Sequence, residues 1–375
     1  MDAAAEELRA WVTLLRIPGL THERVALGLQ SAASAAELVR LSSRKPELLE
    51  LTEHARTQLR SVDARLIDAD LAWLDAPARH LVPLTSAQYP ALLAHAGGAP
   101  PALYVVGSVA TLSQPQLALV GSRNPTASGR ETAFDFAAHL ARCGLTITSG
   151  LAEGIDAAGH RGALSVGRET IAVCGTGLDI TYPEHHAELA RSIAAHGALV
   201  SEFPPGTAPR REHFPQRNRI ISGLSLGTLV VEAARQSGSL ITARYATEQG
   251  REVFAIPGSI HNPLSRGCHR LIRDGAKLVE TADDILSELH WQTPVASAPE
   301  RAAEPQDANN GAPGLDKEYE ILLDALGFDA LGLDALIERS GLKPEAVASM
   351  LLILELRGLV EARPGGRYCR SPTRR

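Results

Sequence analysis

A chain of 375 residues that is 45% apolar exceeds what one hydrophobic core ordinarily serves, which predicts two or three domains. Its formal charge of -6 argues against a uniformly basic nucleic-acid coat, and its 4% aromatic content against a surface that grips single strands by stacking bases on many rings. The cysteines, Cys143, Cys174, Cys268 and Cys369, are widely spaced without a C-x-x-C pair, which argues against a disulfide framework and a zinc site.

In chain order, the segment beginning Met1-Asp-Ala-Ala-Ala-Glu-Glu7 is acidic and lacks the basic-then-apolar pattern of a secretion leader. No later run approaches the ~18 apolar residues of a membrane span, so a cytoplasmic protein without membrane insertion is expected. From about Glu6 to Asp75 apolar positions recur at three and four, predicting a helical module over residues 1–79 with breaks at Pro18-Gly19 and Pro46. Leu15-Arg-Ile-Pro-Gly-Leu-Thr21 is similar to the hairpin of helix-hairpin-helix (SAM-like) domains, although short Pro-Gly turns also join helices that touch no DNA.

Residues 80–290 change texture. Short apolar runs at Gln116–Val120, Leu145–Ser149, Thr170–Cys174, Ala198–Glu202, Gly227–Val231 and Glu252–Ile256 alternate with helical patterns at Thr132–Arg142, Ile155–Val166, His185–Ala195 and Ser239–Gln249. Continuous apolar strands with helical crossovers predict an α/β, Rossmann-like, doubly wound, mostly parallel sheet buried on both faces. Ligands of such sheets sit at the carboxyl ends of the strands. Those ends carry Gly121-Ser-Arg123, Ser149-Gly-Leu-Ala-Glu-Gly-Ile-Asp156, Gly175-Thr-Gly-Leu-Asp179 and Ser201-Glu-Phe-Pro-Pro205. Residues 291–314, rich in Ala and Pro, read as a linker. Three amphipathic stretches, Lys317–Leu326, Leu333–Ser340 and Pro344–Arg357, then precede a hairpin turning at Gly365-Gly366, which predicts a winged helix over residues 315–375. Its third helix is not basic, so protein contact or packing is expected there above base reading.

The segment Phe214-Pro-Gln-Arg-Asn-Arg-Ile-Ile-Ser-Gly-Leu-Ser225 and the turn Ser237-Gly-Ser-Leu-Ile-Thr-Ala243 carry the strongest chemical signal. Between Arg210 and Arg219 stand four arginines against one glutamate, in a chain with only four lysines. Arginine supplies forked, permanently charged donors, and a Gly/Ser turn at a helix start exposes backbone N–H groups, so both suit phosphate oxygens. The bland alternative is that Arg123, Arg217 and Arg219 form buried ion pairs with Glu202 or Glu232. No acid–base pair, activated nucleophile or metal cluster accompanies these donors, which favours a binder over an enzyme and no cofactor. Gly175-Thr-Gly-Leu-Asp179 begins like a dinucleotide fingerprint but lacks the third glycine, and no P-loop occurs. His185-His186 reads as a solvated helix start rather than a metal site, and Glu153 with Asp156 as helix-start charges, Asp156 with the option of holding a loop.

Taken together, these motifs with Val231-Glu-Ala233 and Pro257-Gly258 resemble the DprA/Smf family of DNA-processing proteins, in register across the central region. The resemblance implies a homodimeric, non-enzymatic Rossmann-like domain that binds single-stranded DNA and loads the RecA recombinase during natural transformation, with a single-strand-binding protein as a further partner. It implies a DNA pocket of Gly121, Ser122, Arg123, Ser149, Gly150, Phe214, Arg217, Asn218, Arg219, Gly238, Ser239 and Thr242, where Phe214 stacks a base. His269 stands where that family usually has asparagine. The rival reading is a nucleotide phosphoribohydrolase, faintly echoed by Gly223-Leu-Ser-Leu-Gly-Thr-Leu-Val-Val-Glu232, which lacks the leading Pro-Gly of that group.

Overall fold

The computed structural model describes residues 3–17, 19–49, 52, 53, 55, 57, 62–292, 317–326, 331–363 and 365–370, in two compact units divided after Ala296. The larger unit holds nine strands: β1 (Arg79–Pro83), β2 (Ala102–Gly107), β3 (Gln116–Val120), β4 (Thr146–Ser149), β5 (Thr170–Val173), β6 (Ala198–Ser201), β7 (Gly227–Val230), β8 (Glu252–Ala255) and β9 (Lys277–Leu278). They form one sheet in the order β1-β2-β6-β5-β4-β3-β7-β8-β9. From β6 to β9 every pairing is parallel, whereas β1 and β2 join antiparallel at the β6 edge.

Every residue of β3 through β7 is buried, as continuous apolar runs under helices on both faces require. Alternation within β3 separates the two faces. Ala118 and Val120 pack with Ile220, Ile221, Leu224 and Ala246, while Leu117 and Leu119 pack with Ala133, Leu140, Ile155 and Ile285. The helices responsible are Ala127–Arg142 and Ile155–Ser165 on the second face and His213–Leu224 and Ser239–Glu248 on the first.

The six expected strands stand within one residue of their expected limits at either end. β1, β2 and β9 were not legible because no tight-turn signal joins β1 to β2 and β9 is two residues long. The N-terminal helices Ala3–Leu15, His22–Leu29 and Ala35–Arg44 bury Trp11, Leu14, Val25 and Leu38 in a core that reaches Ala102 of the sheet. Arg16 Nε donates to Asp70 Oδ2 at 2.8 Å, and its Nη2 to the Pro205 carbonyl at 3.0 Å, which ties these helices to the loop after β6. Gly19, at φ +72°, turns the chain between the first two of them.

The smaller unit has helices Lys317–Leu326, Leu333–Ser340 and Pro344–Leu356 around Leu322, Leu326, Leu336, Val347, Met350 and Leu354. Strand β10 (Leu331–Gly332) pairs with β12 (Arg367–Arg370), which pairs with β11 (Val360–Arg363). Gly365 and Gly366, at φ +84° and +67°, make the hairpin turn where it was expected. Residues 293–316, most of the expected linker, lie outside the described residues. Among the described residues, no helix is long and apolar enough to cross a membrane.

Candidate nucleic-acid interface

The chain leaves β3 for β4 on one side and leaves β7 for β8 on the other, so β3 and β7 flank the point where the strand order reverses. Diverging connections leave a crevice outside the carboxyl ends of such neighbours. Here it is a cleft of about 530 Å³, lined from β3 by Gly121, Ser122 and Arg123, from the helix after β6 by Phe214, Arg217 and Asn218, and from the segment after β7 by Gly238, Ser239 and Thr242.

The Gly121 turn lets the helix Ile155–Ser165 approach the sheet, because a Cβ on Gly121 would lie 2.7 Å from Ile155 Cγ1. Arg123 stays exposed, with its guanidinium 5.7 Å from the centre of the Phe214 ring. The helix that follows is anchored by Thr126, whose Oγ1 accepts from Gly129 N at 2.9 Å and donates to Glu232 Oε1 at 2.7 Å. Thr126 N donates to Glu232 Oε2 at 2.9 Å, so both oxygens of Glu232 are engaged in capping. That removes the acidic group on which the phosphoribohydrolase reading leaned.

On the helix His213–Leu224, Phe214, Arg217, Asn218 and Ile221 share one stripe facing the cleft. Arg217 is 5% exposed. Its Nη1 donates to the Gly150 carbonyl and to the Val173 carbonyl, the latter at 2.6 Å, joining the ends of β4 and β5. Asp156 Oδ2 accepts from Gly150 N at 3.2 Å and Ala152 N at 3.3 Å, which holds the same loop as the sequence allowed. Burial pushes the Arg217 pKa down, against the charge of Asp156, and pushes Asp156 up, against Arg217 and those N–H groups. Gly150 is required here, since a Cβ would lie 2.3 Å from Arg217 Nη2. Asn218 Nδ2 donates to the Gly238 carbonyl at 3.3 Å, and the Ser237 and Ser239 hydroxyls are 2.7 Å apart at the start of Ser239–Glu248.

Several expected residues are placed otherwise. Ser149 is fully buried and its hydroxyl donates to the Leu119 carbonyl at 2.6 Å, inside the sheet. Gly150 lines a side chamber of the cleft, but its N–H and carbonyl already serve Asp156 and Arg217. Arg219 Nη2 donates to Glu202 Oε2 at 2.6 Å with both side chains largely covered, the ion pair raised as the bland alternative. The cationic run from Arg210 to Arg219 therefore splits: Arg210 and Arg211 are exposed and Arg211 lines the cleft, while Arg217 and Arg219 are turned inward. His186 is buried with Nδ1 3.0 Å from the Leu151 carbonyl, not solvated. His269 lies off the cleft lining, its Nε2 2.9 Å from the Gly258 carbonyl.

Tyr182 and Arg211 were not singled out as site residues from sequence. Tyr182 packs on Phe214 with ring centres 5.3 Å apart, so the aromatic wall is a pair. Its only sequence signal was its place at the end of a strand–loop already rich in glycine. Among the described residues, no three His, Cys, Asp or Glu side chains gather as a metal would need.

A sequence profile described as DNA recombination-mediator protein A matches residues 80–290, more than half of the chain, and one described as the DprA winged helix domain matches residues 302–366. The chain belongs to the DprA/Smf family. Within it, Protein Smf of Escherichia coli is 45% identical over 321 residues, which is 84% of either chain. The DNA processing protein DprA of Bacillus subtilis is 44% identical over 209 residues, 56% of this chain and 70% of that protein. Among solved structures, DprA of Streptococcus pneumoniae superposes with a TM-score of 0.67 at 36% identity, covering 75% of this chain and 97% of that one. DprA of Helicobacter pylori, described for its single-stranded DNA binding mode, superposes at 0.50 with 28% identity over 54% of this chain and 93% of that one. The DprA/Smf fold is thus the sheet and cleft described above, with a winged helix beyond it.

Proposed function

We propose that this protein takes part in DNA processing as a sequence-tolerant binder of single-stranded DNA that protects incoming strands and loads RecA onto them during natural transformation. The carrying observation is the cleft at the β3–β7 reversal, where exposed Arg123 stands beside the Phe214–Tyr182 ring pair and faces the hydroxyls and helix start of Gly238, Ser239 and Thr242. Charge and N–H donors suit successive phosphates, while ring faces suit any base, so such a site tracks a strand without reading it. The single-strand-binding relative from Helicobacter pylori supports the reading. RecA, a second copy of the chain and a single-strand-binding protein are the proposed partners, cytoplasm the proposed compartment, and binding rather than turnover the proposed activity.

The test is a fluorescence titration of a single-stranded oligonucleotide across a salt series. Affinity falls with salt at a log–log slope of about -0.7 per neutralised phosphate. Arg123→Ala weakens binding by about 1–3 kcal/mol, as loss of a charged hydrogen bond does, while its unfolding curve stays that of the parent protein. Salt-insensitive binding, or full affinity in this variant, refutes the proposal.

A further inference from the structure

Beside the main cleft opens a smaller chamber of about 130 Å³, walled by Arg123, Gly150, Glu153, Tyr182, Pro183 and Phe214. It is bordered by the aromatic pair and continuous with the main cleft through Arg123, Tyr182, Phe214 and Arg217, which line both. The backbone on its floor is already engaged: the N–H groups of Gly150 and Ala152 donate to Asp156, and the Gly150 carbonyl accepts from Arg217. The polar groups able to address a ligand are therefore side chains, and Glu153 is the acidic one. Its Oε1 is held 3.2 Å from His185 Nε2, and the half-exposed side chain lines the chamber, so a second carboxylate oxygen is on hand for a ligand.

A carboxylate beside a phosphate site repels the backbone, so its useful partner is a base edge. Ionised Glu accepts only. Cytosine, adenine and guanine each carry an amino group that donates to it, whereas thymine presents carbonyls on either side of its single N–H. The geometry points to Glu153 as a base-edge selector: the chamber takes one nucleobase of the bound strand against Tyr182 and Phe214, and Glu153 favours amino-bearing bases over thymine. The inference rests on the single-strand reading of the cleft and adds a base preference to it.

The full-length protein and its Glu153→Gln variant are titrated with equal-length oligo(dC) and oligo(dT) at a pH where cytosine is unprotonated. A neutral amide both donates and accepts, so it serves thymine as well as cytosine. The expected result is a dC-to-dT affinity ratio that falls roughly fivefold on substitution, the low end for a base contact that is partly exposed. Equal tightening of both oligonucleotides in the variant shows a charge that merely repels the backbone, and overturns the selector role. An unchanged ratio with unchanged affinities overturns it as well, leaving the single-strand reading intact. Failure of the parent protein to bind either oligonucleotide overturns both.

Discussion

Two arginines that look alike in the sequence do opposite work. Arg123 is exposed at a loop and free of carboxylate partners within ion-pair distance among the described residues, whereas Arg217 is 5% exposed and clamps the Gly150 and Val173 carbonyls. Arg217→Ala leaves those carbonyls and the Asp156 charge without their cation, which costs about 3–5 kcal/mol of stability, as breaking a buried charged contact does. Urea unfolding checks this, and a variant as stable as the parent contradicts the clamp. The sequence showed which residue types gather near the strand ends. It did not show which of them face inward, because burial of an arginine depends on carbonyls contributed by β4 and β5, far away in the chain. Ser149 and Arg219 follow the same rule, each finding its partner, Leu119 or Glu202, only in the fold.

At the scale of elements, the apolar runs that became β3 to β8 were legible because a parallel sheet covered on both faces permits few polar residues. The antiparallel pair β1 and β2 left no such mark, since a long connection replaced a hairpin turn. One helix–strand contact makes a pH-dependent prediction. His160, on the helix Ile155–Ser165, is fully buried with Nδ1 2.8 Å from Thr170 Oγ1 of β5, and that hydroxyl donates to the Ile147 carbonyl of β4 at 2.6 Å. The Thr170 hydrogen being committed, His160 Nδ1 is the donor and the ring is neutral. Burial, then the charges of Arg217, His186 and Arg161, push its pKa from 6.5 down to about 3. A folded-state pKa below the unfolded value means the stability is fully present above pH 6.5 and is lost as pH falls toward 3. The loss attributable to this group approaches roughly 1.4 kcal/mol per pH unit within that window. Urea midpoints of the parent and a His160→Gln variant, compared from neutral to acid pH, check it: the difference between them shrinks on acidification. A constant difference refutes the assignment.

At the scale of the whole molecule, the cleft belongs entirely to the unit ending at Ala296, and the winged helix has a separate core of Leu322, Leu336, Val347 and Leu354. Truncation after Ala296 is therefore expected to leave single-strand affinity within about twofold and the unfolding transition of the larger unit unchanged, since the cleft lining and the cores beneath it are drawn from that unit alone. Loss of binding on truncation moves the site into the winged helix. The winged helix was legible from its own pattern, three amphipathic stretches and a Gly-Gly hairpin turn set apart from the strand–helix alternation before them. The shared core of the N-terminal helices and Ala102 was not, as nothing in either segment announces the other.

The reversal of strand order also governs when the cleft comes into being. β7 is synthesised after β4, β5 and β6, yet its seat is beside β3, and the last wall of the cleft, Gly238 to Thr242, follows later still. A ribosome must release all of these segments before the two sides face one another. The proposed hold on a strand thus arrives late in the synthesis of each chain, only after the segment that carries Thr242 has been made.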